Sequence, residues 1–311
     1  MNRNRAVVVD PDAPGRLVIR PVTDPIPERS EAVVRVQAIS LNRGEVRRST
    51  QATAGWRPGW DLAGVVEAAA ADGSGPRAGA RVVGLVLEGA WAERVVVPTS
   101  WMAELPDKVT FSQAATFPVA GLTALHALAK GGLLLGRRVL VTGATGGVGD
   151  FAVQLARLAG AHVTGLVRRE DQVAAVRELG AHEVIVGDEI PPSPGYHLIV
   201  DSVGGRTLGT ALAALQRAGT CVTLGVSASP EVTFDARQFF VAGRSTLYGL
   251  YLFTEFGNEP ATIGLRRLAE LVAAGQLAPH VSLERPWAEI AQVAQDLMAR
   301  RFPGKAVLIV D

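Results

Sequence analysis

From Ala6 to about Val97 the chain is written in short runs of β-branched and apolar residues: AVVVD, RLVIRPV, EAVVRVQAIS, LAGVVEAA, ARVVGLVL and AERVVVP, broken by Pro and Gly. Runs of this length and spacing predict the short strands of a small barrel or sandwich. After Pro118 the texture changes to apolar runs alternating with helix-length segments, the pattern of a parallel sheet flanked by helices. The expected strands are RRVLVTG (137–143), HVTGLVRR (162–169), HEVIVGD (182–188), YHLIVDSV (196–203), GTCVTLGVS (219–227) and STLYGLYLF (245–253). Between the first two, Val148, Ala152, Leu155, Ala156 and Ala159 recur at helical spacing, and Val173, Val176 and Leu179 do so in the next helix.

Near the C-terminus Ile290, Val293, Leu297 and Met298 mark another amphipathic helix, followed by the buried-strand pattern GKAVLIV (304–310). A six-stranded sheet is complete without this unit. The C-terminus is therefore expected to return to the first domain, so that residues 1–121 and 276–311 form one discontinuous domain around a second at 122–275.

Composition narrows the class. The 311 residues carry 31 Lys+Arg against 30 Asp+Glu, which argues against a chain built to neutralise phosphate backbones, so nucleic acid is not an expected partner. No apolar stretch reaches the ~20 residues that span a bilayer, and MNRNRAVVVDPDAPG lacks the apolar core of a secretory signal. With Cys221 as the one cysteine, no disulfide or cysteine-rich metal lobe can form within the chain, which fits a reducing cytoplasm. The cations are almost all arginine; Lys108, Lys130 and Lys305 are the only lysines.

The strongest local signal is VTGATGGVGDFAVQLA (141–156), a strand that runs through a glycine-rich turn into a helix. Gly146 and Gly149 hold the second and third glycine positions of a dinucleotide fingerprint, and Ala144 replaces the first. Thr145, Gly146, Gly147 and Val148 would bring backbone N–H groups to a pyrophosphate at the helix N-terminus. A tight turn that needs glycine only for packing is the bland alternative. At the end of the next strand, where an acidic residue would bind the ribose of NAD, the chain has Val167-Arg168-Arg169. A guanidinium can grip a 2′-phosphate with two parallel hydrogen bonds, so NADP(H) is the expected cofactor, with Arg168 or Arg169 as ligand; a solvated arginine face is the alternative.

These residues, with LNRGEVRRS (41–49), RPGWDLAGVVE (57–67), GPRAGARVVGL (75–85), GAWAERVVVP (89–98) and AATFPVAGLTALHAL (114–128), resemble the medium-chain dehydrogenase/reductase superfamily in its zinc-free quinone oxidoreductase and enoyl reductase branch. The resemblance covers nearly the whole chain. It implies an α/β protein, with a GroES-like β-barrel catalytic domain built from both chain ends and a Rossmann-type doubly wound parallel sheet domain between them.

Zinc-dependent relatives carry a Cys near the position of Asn42 and a Gly-His-Glu stretch where this chain has Gly59-Trp60-Asp61, so no metal is expected. Without a Lewis acid, the implied reaction is NADPH-dependent hydride transfer to a quinone, enone, 2-alkenal or enoyl thioester. Asn42 matches the family's active-site asparagine and would donate through its amide or order a water. Where many quinone-reducing relatives carry Tyr, this chain has Arg47, which, like Arg48, could orient an anionic substrate or stabilise an enolate; a solvated loop arginine is the alternative. Glu45 and Asp61 are candidates for acid–base or supporting roles, with a structural role as the favoured alternative, and Trp56 and Trp60 for an apolar wall, with barrel packing as the alternative.

By family position, Thr123 approaches the nicotinamide carboxamide, Ser202, Val203 and Gly204 the adenosine ribose, and Leu224, Gly225, Val226 and Tyr251 the nicotinamide side. A lysine often directed at the 2′-phosphate is replaced by Gln172, and the five histidines show no ligand spacing. The apolar edge strand STLYGLYLF leads to the expectation of a homodimer. A cofactor-binding sensor and a nonreductive cyclase or isomerase on the same scaffold are the competing functions.

Overall fold

The ten-residue strand Glu31–Ser40 organises the first half of the protein, because it pairs with three others: Asp61–Ala68, Arg94–Pro98 and Lys305–Ile309, all antiparallel. Around it a seven-stranded sheet runs in the order Val281–Pro286, Lys305–Ile309, Glu31–Ser40, Asp61–Ala68, Arg81–Leu85, Met102–Glu104, with Arg94–Pro98 branching from the central strand. Asn4–Val9 and Leu17–Val22 form a separate antiparallel pair. Irregularities in the Glu31–Ser40/Asp61–Ala68 ladder bend the sheet around a core that holds Val34, Ile39, Leu62, Val82, Trp91, Trp287 and Leu308. Helix Ile290–Met298 buries Ile290, Val293 and Leu297 in that core, as its spacing predicts.

The computed structural model describes residues 4–191 and 195–311, and the chain divides into two compact units, Met1–Leu122 with Phe256–Asp311 and Thr123–Glu255. Both chain ends thus build one unit. The second junction lies at 255/256, not at the expected 275/276. Helix Ala261–Ala273 packs against the strands Arg81–Leu85 and Met102–Glu104 of the first unit, and its Thr262 hydroxyl donates to the Thr99 carbonyl.

In the second unit six strands lie in the order Glu183–Val186, His162–Val167, Arg138–Thr142, Tyr196–Asp201, Leu215–Thr223, Thr246–Gly249, all parallel. Counted along the chain this is the 3-2-1-4-5-6 order of a doubly wound sheet, whose ligands lie outside the carboxyl ends of the strands. Val139, Leu140 and Val141 are fully buried, as expected of a central parallel strand covered on both faces. Gly165 lets the next helix approach: a Cβ there would sit 2.5 Å from a Val176 methyl. The strand expected over 245–253 is shorter, Thr246–Gly249, and the chain then turns into helix Leu252–Glu255. Glu255 accounts for the turn. Its buried carboxylate pairs with Lys130 at 2.8 Å and accepts the Tyr248 hydroxyl at 2.6 Å, which draws the chain back instead of letting it extend.

Candidate active site

Three strand ends bring a polar cluster together in the first unit. Val307 pairs with Ser40 in the antiparallel ladder, so two residues further on the register sets Lys305 opposite Asn42. Asp61 pairs with Ser40 from the other side. Asn42 is also the N-cap of helix Arg43–Ser49, and Glu45, three residues on, reaches back to accept the Asn42 backbone N–H at 2.7 Å, as in a capping box. A residue already at the junction of strand and helix is thereby surrounded by two acids and a base.

The hydrogen bonds close on Asn42. Its amide nitrogen donates to Asp61 Oδ2 at 2.8 Å and Glu45 Oε1 at 3.0 Å, while its Oδ1 accepts from Lys305 Nζ at 2.6 Å. Lys305 also donates to the Leu41 carbonyl at 3.0 Å and to Asp61 Oδ2 at 3.3 Å, which uses all three ammonium hydrogens. Asp61 Oδ1 accepts the Val119 N–H at 2.9 Å from a π-helical turn, Phe117–Gly121, that leads directly into the helix bearing Thr123. Glu45 and Asp61 are fully buried, Lys305 is 4% exposed, and Asn42 is half-buried.

Burial and the negative charge of Asp61 push the Glu45 carboxyl up to about 8. Burial raises Asp61 as well, opposed by the Lys305 ammonium and the Asn42 amide. Lys305 bonds Asp61 and not Glu45, so at neutral pH Asp61 is the ionised partner and Glu45 keeps its proton. That leaves the buried cluster without net charge, the state in which burial costs least. Lys305 was not among the residues singled out from the sequence. Its signal was available: it is one of three lysines in a chain that otherwise writes its cations as arginine.

Around this cluster the other candidates separate. Arg47 is exposed, and its side chain engages no partner among the described residues. Arg48 lies over the Trp56 ring at 4.7 Å, and the Trp56 indole N–H donates to Glu88 at 2.9 Å. Trp60 packs on the first turn of helix Arg43–Ser49, where a Cβ on Gly44 would fall 2.9 Å from its ring. Cys221 is buried in a strand of the other unit, and among the described residues no group of three or more His, Cys, Asp or Glu is placed to hold a metal.

In the second unit the glycine turn has the form that a dinucleotide needs. It leaves strand Arg138–Thr142 and enters helix Gly147–Leu158 with Gly146 as N-cap. Gly149 is obligatory, since a Cβ there would lie 2.3 Å from the Gly143 carbonyl oxygen, and Gly143 adopts φ +61° beside the Ser202 hydroxyl. Thr145, Gly146, Gly147 and Val148 remain partly or fully exposed at the helix N-terminus, so the turn fits a pyrophosphate.

The neighbouring strand ends carry the remaining candidates. Buried Asp201 fixes the Ser202–Gly204 turn by accepting the N–H groups of Val203 and Gly204 and the Thr142 hydroxyl, while the Ser202 hydroxyl donates to the Thr142 carbonyl. Leu224, Gly225 and Val226 follow strand Leu215–Thr223 alongside that turn; a Cβ on Gly225 would lie 3.0 Å from the Ser202 carbonyl oxygen. Tyr251 is exposed, and Thr123 is buried in the first turn of helix Leu122–Ala129.

Of the two arginines, Arg169 forks onto Asp171 at 3.0 Å, whereas the exposed side chain of Arg168 engages no partner among the described residues. Gln172 accepts the backbone N–H groups of both at 3.2 Å and donates to the Thr145 hydroxyl at 3.3 Å, tying this loop to the glycine turn.

Comparison with known proteins places this geometry. Residues 28–107 match the family model described as an alcohol dehydrogenase GroES-like domain, and residues 147–265 match that of a zinc-binding dehydrogenase. The chain is 29% identical over 310 residues to a quinone oxidoreductase of Sus scrofa, with 93% of this chain and 92% of that protein covered. It is 27% identical over 307 residues to a quinone oxidoreductase of Homo sapiens, covering 92% and 91%. A solved mycobacterial structure complexed with NADPH, 27% identical, superposes with a TM-score of 0.88 over 99% of this chain and 100% of that one. With both domains matched in order and quinone oxidoreductases among its whole-length relatives, the chain belongs to the medium-chain dehydrogenase/reductase superfamily, on its quinone oxidoreductase branch.

Proposed function

We propose that the protein is an NADPH-dependent, metal-independent oxidoreductase that reduces a quinone or an activated C=C acceptor such as an enone, 2-alkenal or enoyl thioester. The observation that carries this reading is the glycine turn beside Arg168, a guanidinium without a partner among the described residues, at the strand end where an NAD-specific site would place a carboxylate. Arg168 would grip the 2′-phosphate, and Thr145, Gly146, Gly147 and Val148 the pyrophosphate. Ser202, Val203 and Gly204 would border the adenosine ribose, and Thr123, Leu224, Gly225, Val226 and Tyr251 the nicotinamide end. Arg169 is already committed to Asp171 and would serve at most as a second ligand.

Bound NADPH supplies the hydride. Asn42 and Asp61 would act on the acceptor, and exposed Arg47 would meet a polar or anionic part of it. Asn42 and Trp60 stand where zinc-dependent relatives have ligands, and neither side chain suits zinc, which favours an acceptor already electrophilic without a Lewis acid.

No helix among the described residues is long and apolar enough to cross a membrane. We place the protein in the cytoplasm, as a homodimer joined along the edge strand Thr246–Gly249, whose Leu247 is exposed, as are Phe240 and Val241 of the preceding helix. Sedimentation as a monomer at working concentration would remove the dimer from the account.

The test is NADPH and NADH oxidation against quinones, enones, 2-alkenals and enoyl thioesters. Turnover with at least one class and a preference for NADPH is the expected result. Tight NADPH binding without turnover of any acceptor would point to a sensor or a nonreductive enzyme.

A further inference from the structure

The Asn42 carboxamide has one orientation. Turned over, its oxygen would face the Asp61 carboxylate and its N–H groups would face the Lys305 ammonium, so both of its contacts to charged groups would become repulsive. In the orientation present, both amide hydrogens are committed to the carboxyl groups, and Oδ1 spends one lone pair on Lys305. The Glu45 N–H approaches the Asn42 side chain as the other arm of the capping box but closes no hydrogen bond on it, so Oδ1 keeps accepting capacity on a side chain that is only half-buried.

Resting on the reductase reading, we propose that Lys305 is a positioning residue which, with Asp61 and Glu45, locks Asn42 as a hydrogen-bond acceptor toward the acceptor substrate. Asn42 then does not donate its amide to a developing enolate. It takes a hydrogen bond from an O–H group, a water or a substrate hydroxyl, and holds that group in place. The lock comes from three sequence-distant elements whose strand register puts Lys305 opposite Asn42 and Asp61 beside both. Lys305 touches neither substrate nor cofactor in this scheme.

The test uses full-length Lys305→Met, which keeps the length of the side chain and removes its donors, together with Asp61→Asn/Lys305→Met, which removes both buried charges. Turnover is expressed per NADPH-binding site, so that a loss of folded protein does not register. The expected result is a fall of about tenfold or more in kcat, with NADPH Kd and acceptor KM within about threefold of wild type. A second readout is independent of activity. The Asn42 side-chain N–H₂ hydrogens, held by two carboxyl groups, should exchange slowly with solvent by NMR in the wild type, and roughly tenfold faster in whichever variant folds.

Unchanged kcat per site in a folded variant, or rapid Asn42 exchange in the wild type, would overturn the proposal. Absence of NADPH binding by the wild type would count against the reductase reading, and the exchange measurement would still decide the role of Lys305.

Discussion

Lys305 Nζ lies 2.6 Å from Asn42 Oδ1, a contact that spans 263 positions of sequence. It joins the last strand of the chain to the end of the first long one, and it explains why the C-terminus must return to the first unit. Without Lys305, Asp61 would be a buried carboxylate with no counter-charge.

The converse makes the first prediction. Asp61→Ala strands the Lys305 ammonium, 4% exposed, and leaves the Val119 N–H without its acceptor. Breaking a buried pair from one side costs roughly 3–5 kcal/mol, so this variant should melt well below wild type or fail to accumulate. Asp61→Asn, which keeps an acceptor for Val119, should lose less. Equal denaturant midpoints for Asp61→Ala and wild type would show that the pair carries no stability.

Glu45 sets a pH dependence. Its carboxyl is raised from 4.5 to about 8 by burial and by Asp61, so the folded state holds this proton more tightly than the unfolded chain. The stability tied to that proton is complete below about 4.5 and is lost as pH rises, until the folded group itself ionises near 8. Glu45→Gln imitates the protonated acid, so above pH 8 it should melt higher than wild type, with a flatter profile across this range. A wild-type Tm that climbs through the same interval faster than that of Glu45→Gln would reverse the assignment.

Cofactor preference should divide the two arginines. Removing a charge-assisted contact to phosphate costs about 1.5–3 kcal/mol, so Arg168→Ala should weaken NADPH binding roughly ten- to a hundredfold and leave NADH binding nearly unchanged. Arg169→Ala should have a much smaller effect, because that guanidinium is already held by Asp171. Fluorescence titration with both cofactors checks this, and equal losses in the two variants would mean that Arg169 leaves Asp171 to share the phosphate.

Gly149→Ala should disable the turn. The new Cβ would meet the Gly143 carbonyl oxygen at 2.3 Å, a distance that backbone movement alone can relieve. Loss of measurable NADPH binding with a lowered Tm is expected by calorimetry; retained affinity would show that the pyrophosphate does not depend on this turn.

Much of this was legible in the pattern of apolar residues. Val139, Leu140 and Val141 read as a buried parallel strand, the glycines of 143–149 as a turn, and GKAVLIV as a strand belonging with the N-terminal half, because each signal is local or follows from counting strands. What escaped depends on partners far away in sequence. Glu255, held by Lys130 from 125 positions away, draws the chain out of the expected strand after Gly249, and the polar strand Val281–Pro286 is held by its parallel neighbour Lys305–Ile309 rather than by its own composition. Asn42 and Asp61 could be singled out one at a time, but Lys305 acquires a role only when register places it opposite Asn42.

The most direct test of the reductase reading follows the hydrogen itself. The protein is given NADPH carrying deuterium on one face of the nicotinamide C4, together with an enone or 2-alkenal, and the reduced product is examined by mass spectrometry and NMR. The account predicts one deuterium at the β-carbon of the product from one labelled face and none from the other. NADPH that is bound but oxidised by none of the quinones, enones, 2-alkenals and enoyl thioesters, or an enone or 2-alkenal product formed without deuterium from either face, would contradict it.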